Sequence, residues 1–162
     1  MDELIGAMLA NRDLFSEYIG REGVDWDYFF CRAYLYPIGT GLSWHSDGRT
    51  GVAGAYVYYA HPQWKAHWGS ELLIDGSGFC EFDYPEHKMY DGSTERLGQH
   101  LDASETSDAV MEHAAGHYVL PKPNRFVLLR RGVLHRLNPV HPSAGENVRA
   151  SITGFFIAPD ER

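Results

Sequence analysis

The sequence predicts a mainly β protein, an antiparallel barrel or sandwich with one or two helices outside it. Two observations carry this expectation. Short runs rich in β-branched and aromatic residues recur between Gly and Pro punctuation, and they do not alternate with helices in the βαβ manner. A third bounds the size: 162 residues that are 44% hydrophobic and 14% aromatic suffice for one packed core, so a single domain over 1–162 is expected.

In chain order, Leu4, Ile5, Met8, Leu9, Phe15, Tyr18 and Ile19 recur near helical spacing, which predicts a helix over 2–20 flanking the core, with Asp2 as cap and Gly20 as stop. Alternation over 29–36 predicts a strand in which Arg32, Tyr34 and Tyr36 share a face, ended by Pro37, Gly39 and Gly41. Strands follow over 52–60 and 71–74, separated by the loop HPQWKAHWGS, which Trp64 and Trp68 are expected to anchor. Residues 77–116 lack regular patterning and carry nine acidic side chains (Glu81, Asp83, Glu86, Asp91, Glu95, Asp102, Glu105, Asp108, Glu112) against Lys88 and Arg96. A connection that long reads as a lid or insertion with a solvated acidic face. Ser107 and Gly116 could bound a short helix over 107–115 within it. Strands return over 117–120, 126–130, 134–138 and 148–158.

A formal charge of −8 gives no broad positive footprint, which argues against nucleic acid or an anionic membrane surface as partner. No apolar run reaches membrane-spanning length, and Asp2 and Glu3 stand where a secretory leader would be basic. Cys31 and Cys80 lack CxxC spacing, so both read as packing thiols in a reducing cytoplasm.

The chemistry-bearing stretch is YPIGTGLSWHSD. His45 and Asp47 lie two residues apart, and alternate side chains of a strand share a face, so imidazole and carboxylate can meet one metal ion. Two His and one carboxylate with open positions are the ligands of non-haem Fe(II) oxygenases. Among nine His, His135 has the context of a second ligand, closing the apolar strand and turn RFVLLRRGVLH. In VRASITGFFIA, Arg149, Ser151 and Thr153 share one strand face, and a guanidinium pointing into a barrel requires an anionic partner. His61, His67, His87, His100, His113, His117 and His141 read as surface residues, His61 nearest the rim of the site.

These pieces together resemble the Fe(II)- and 2-oxoglutarate-dependent dioxygenases, in particular the prolyl-hydroxylase-like branch. The likeness rests on YPIGTG, HSD, YYAHPQWKAHWGSEL, PKPNRFVLLRRGVLH and RASITGFF, in that order, and spans about 30–158. It implies a double-stranded β-helix, a jelly-roll or cupin-like barrel of two facing antiparallel sheets with the metal at one open end. It implies His45, Asp47 and His135 as metal and catalytic ligands, and Arg149, Tyr59, Tyr36 and Ser151 as cosubstrate contacts. It also implies Fe(II), 2-oxoglutarate and O2 as cofactor and cosubstrates, with hydroxylation of a small molecule or peptide and release of succinate and CO2. The chain departs from the family pattern at Gly69-Ser70, at Ala60-His61 and in the long interval between His135 and Arg149. The rival readings are a prolyl hydroxylase acting on a protein and a non-catalytic cupin-like barrel that binds metal or ligand.

Overall fold

Two antiparallel sheets and an N-terminal pair of helices build the computed structural model, which describes residues 2–47, 51–76 and 116–159 together with 87–88, 92, 94–95 and 110–111. The helices are α1 (Asp2–Ala10) and α2 (Arg12–Ile19). The expected single helix over 2–20 is therefore interrupted. Asn11 leaves helical geometry with φ −110° and ψ 12°, and its side-chain amide donates back to the Ala7 carbonyl at 2.7 Å, the local competition typical of Asn inside a helix. Gly20, at φ 82°, stops α2 as its sequence position suggests.

The main sheet contains β1 (Tyr28–Phe29), β2 (Arg32–Tyr36), β4 (Val52–Tyr59), β9 (Phe126–Arg130) and β11 (Arg149–Ile157). β4 pairs with β9 on one side and β11 on the other, while β1 and β2 lie end to end along the far edge of β11. The facing sheet runs β3 (Leu42–His45), β10 (His135–Leu137), β5 (Leu72–Asp75) and β8 (Gly116–Val119). A separate two-stranded ladder joins β6 (His87–Lys88) to β7 (Thr94–Glu95). This is a jelly-roll-like arrangement of antiparallel strands, as expected. Of the insertion and its helix, Val110 and Met111 are described and helical; the remainder of the 107–115 expectation lies outside the described residues, as does Cys80.

The expected strand over 29–36 is split at Phe30 and Cys31. The Phe30 carbonyl is drawn inward, where it accepts from the Tyr56 hydroxyl at 3.1 Å. It sits so close over β11 that a Cβ on Gly154 would lie 1.7 Å from it, hence the glycine. One face of the main sheet is sealed by the helices: Met8 and Ile19 pack with Trp26, Tyr56 and Phe156, and Phe15 stacks on Phe126 at 5.6 Å. Each such fully buried side chain contributes roughly 1.5–3 kcal/mol of hydrophobic stabilisation. The opposite face of β11 presents Arg149 and Ser151. A second cluster of Tyr36, Trp68, Leu137, Val140 and Ala144 fastens the two sheets beside them.

Substituting Gly154→Ala is expected to destabilise the fold by about 1–3 kcal/mol or more, the cost of overpacking against backbone. Gly6→Ala, in the open interior of α1 where nothing lies within 4 Å, should instead be neutral or stabilise by about 0.5–1 kcal/mol. Chemical denaturation of both variants checks the contrast.

Candidate metal centre

Gly41 admits the turn into β3. A Cβ there would lie 2.5 Å from the Leu137 carbonyl oxygen, so only glycine lets β3 close onto β10. The pairing makes His45 and His135 direct cross-strand partners, with their rings 4.3 Å apart. Asp47 arrives differently from the expectation of strand alternation: β3 ends at His45, and the carboxylate is brought in by the irregular residues beyond it. Its Oδ2 lies 3.3 Å from His135 Nε2. Ligand atoms of His45, Asp47 and His135 all fall within 4.8 Å of one another, spacing that one cation could bridge.

The two imidazoles share an orienting device. His45 Nδ1 faces the Ser43 carbonyl at 2.7 Å and His135 Nδ1 the Val133 carbonyl at 2.9 Å. A carbonyl can only accept, so each Nδ1 carries hydrogen and Nε2 is the atom each ring can offer to a metal. Burial pushes the His135 pKa down, but the Asp47 carboxylate more than offsets this and holds it above the ordinary imidazole value. A cation held by these two groups would compete with protonation of His135.

Next to this group lies a buried charge. Arg149, 2% exposed, opens β11 opposite Tyr36 of β2. Its guanidinium is sandwiched between the rings of Tyr36, at 4.8 Å, and Tyr59, at 4.9 Å, and its Nη1 donates to Ser151 Oγ at 3.2 Å. Among the described residues no carboxylate pairs with it, and Arg149 Nε and the Tyr59 hydroxyl, both buried, have no hydrogen-bond partner. Desolvation raises the phenol pKa of Tyr36 and of Tyr59, with the Arg149 charge pulling the other way in each case. Asp47 also pushes Tyr36 up, so this one ring senses both the metal group and the guanidinium.

The surface expectation for His61 is corrected. It is 3% exposed, with Nε2 2.7 Å from the Pro121 carbonyl and Nδ1 3.1 Å from that of Ala150, the neighbour of Arg149. Burial lowers its pKa. The ring packs beside Tyr59 and Trp64, so it braces the frame around Arg149. Its only signal in the sequence is a position directly after the strand that carries Tyr59. Trp64 and Trp68 do anchor their loop: the Trp64 indole donates to the Gly69 carbonyl at 3.1 Å and meets Trp68 edge to face at 5.3 Å.

No family model and no curated protein matches the sequence. Solved structures do. A crystal structure of a Pseudomonas putida prolyl-4-hydroxylase superposes with TM-score 0.59 at 21% identity, covering 98% of this chain and 66% of that one. A prolyl 4-hydroxylase structure from Phytophthora capsici gives TM-score 0.50 at 16% identity, covering 99% of this chain and 41% of that one. The chain thus spans about two thirds of the first and well under half of the second. At these identities the likeness establishes the fold.

An unpaired buried cation costs several kcal/mol, of which two ring faces recover roughly 2 kcal/mol or more apiece when desolvated. Arg149→Met is therefore expected to leave the ligand-free protein as stable as the wild type or more stable, by up to about 1–4 kcal/mol, in equilibrium unfolding.

Proposed function

We propose that the chain is a non-haem Fe(II) oxygenase that uses 2-oxoglutarate and O2 to oxidise, most simply to hydroxylate, a small molecule or a peptide. The observation that carries this reading is a two-His, one-carboxylate group linked through Tyr36 to a buried arginine that no carboxylate among the described residues pairs with. A metal site alone would fit many proteins. A dicarboxylate that reaches both the metal and Arg149 fits this pair.

In the reading, His45 and His135 present Nε2 lone pairs and Asp47 contributes an anionic oxygen, which balances half the charge of a divalent ion. Iron held by His45, Asp47 and His135 would keep open positions for an oxo acid and dioxygen. With those bound, iron supplies the oxidising chemistry that converts 2-oxoglutarate to succinate and CO2 and delivers oxygen to a C–H bond. Arg149 receives the distal carboxylate through charge-assisted hydrogen bonds, and the orphaned Tyr59 hydroxyl donates to the same group. Ser151 fixes the guanidinium by accepting from Nη1, and the Tyr36 and Tyr59 rings hold it flat and exclude water.

The similar solved structures are of prolyl 4-hydroxylases, which makes a prolyl residue of a peptide or protein the first substrate to try. The rival of another class, a non-catalytic metal-binding barrel, predicts metal uptake without succinate under any condition.

Anaerobic addition of Fe(II) and then 2-oxoglutarate is expected to produce a weak visible charge-transfer band, absent in Asp47→Ala. Arg149→Met should weaken 2-oxoglutarate by roughly a hundredfold, within the about 2–5 kcal/mol of a truncated buried charge pair, while leaving metal affinity unchanged. A band that survives in Asp47→Ala would overturn the ligand assignment. A succinate-release screen over prolyl peptides, free amino acids and cationic metabolites then identifies the substrate class; metal binding with no succinate from any of them favours the barrel.

A further inference from the structure

Both histidines of the metal group have an immediate neighbour on the opposite side of the sheet. Trp44 precedes His45 on β3, and successive strand residues point to opposite faces. Leu134 precedes His135 and packs with Trp44, so it lies on that same back face. The Leu134 carbonyl also accepts from the Asp75 amide at 2.9 Å, tying the entry of β10 to β5.

This back face is closed by a residue remote in sequence. Val110, on the short helical piece that includes Met111, packs in one cluster with Leu134 and Trp44, separate from the clusters around Tyr56 and Trp68. Val110 is 1% exposed and Leu134 0%, whereas Met111 is 75% exposed. Among the described residues of this segment, Val110 is the one seated behind the two strands that carry the histidines.

We propose that Val110, acting through Leu134 and Trp44, is a positioning residue for the metal group, on the reading that His45, Asp47 and His135 bind a divalent cation. β3 and β10 are short, four and three residues, and their mutual register shifts between His135 and Leu137. Two short strands joined irregularly have few ladder bonds to fix the ring-to-ring distance. Dense packing behind them supplies the missing constraint, since a well-filled interior resists small displacements. By reciprocity, a cation that locks His45 against His135 stabilises the seat of Val110.

The probe is Co(II) alone, titrated into the whole protein with its visible d–d bands as readout. Val110→Ala, which opens a small cavity, is expected to weaken Co(II) about tenfold, at the lower end of the roughly 10–100-fold cost of disturbing support around metal ligands, and to alter the band shape. Val110→Ile should retain wild-type affinity and spectrum. Met8→Ala supplies the control, because it removes a comparably buried side chain beneath the helices, away from the metal strands. It should lower thermal stability at least as much yet hold Co(II) affinity within about twofold. If Val110→Ala fails to fold, Val110→Thr, of nearly equal volume, takes its place, with the same loss expected from a hydroxyl set against Leu134. Wild-type affinity and spectrum in the Val110 variant, or an equal loss in Met8→Ala, overturns the positioning role while leaving the metal reading intact. Failure of the wild type to bind Co(II) overturns both.

Discussion

A buried guanidinium that no carboxylate among the described residues pairs with is the constraint around which this site is arranged. Arg149 is held in place by side chains that offer no countercharge: two tyrosine rings on its faces and one serine hydroxyl at its edge. Among the described residues, such contacts orient the guanidinium without neutralising its charge. The strand pairs explain how the restriction is achieved. Arg149 faces Tyr36 across β2, and Ser151 faces Tyr59 across β4, so three adjacent strands each contribute to the cradle.

The division of labour between sheets is equally physical. The main sheet, thick with aromatic packing under its helices, carries the charge that must not move. The facing sheet carries His45 and His135 on short strands, and Asp47 on irregular backbone beyond them. Tyr36 of the main sheet and Leu137 of the facing sheet belong to the one hydrophobic cluster that lies between them.

Much of this was legible in residues alone, because strand alternation and punctuation are local signals. The pattern over 126–130 matched β9, that over 148–158 overran β11 by one residue at each end, and the alternation of Arg149 with Ser151 put both on one face. What escaped was decided by contacts distant in sequence. The break at Phe30 depends on Tyr56 and Gly154, neither of which is near it in the chain. His61 looked like a loop residue because its partners come from much later in the chain, Pro121 from the residues after β8 and Ala150 from β11. Asn11 divides the helix through a side-chain bond that competes with helical periodicity. Asp47 reaches the histidines although the strand stops short of it, so the right neighbours were anticipated on the wrong geometric ground.

The inward carbonyl of Phe30 has a consequence far from its own position. Alternation means that sliding an edge strand by one residue exchanges its two faces. Were β2 to slip along β11, Leu35 would stand where Tyr36 does, and the guanidinium would lose an aromatic face to an aliphatic chain. Only one placement lets the Phe30 oxygen rest over the glycine at 154 while meeting the Tyr56 hydroxyl, because its neighbours on β11, Thr153 and Phe155, carry side chains. This contact at one end of the edge acts as an alignment pin, deciding which ring of the Tyr34, Leu35, Tyr36 series meets the buried charge at the other.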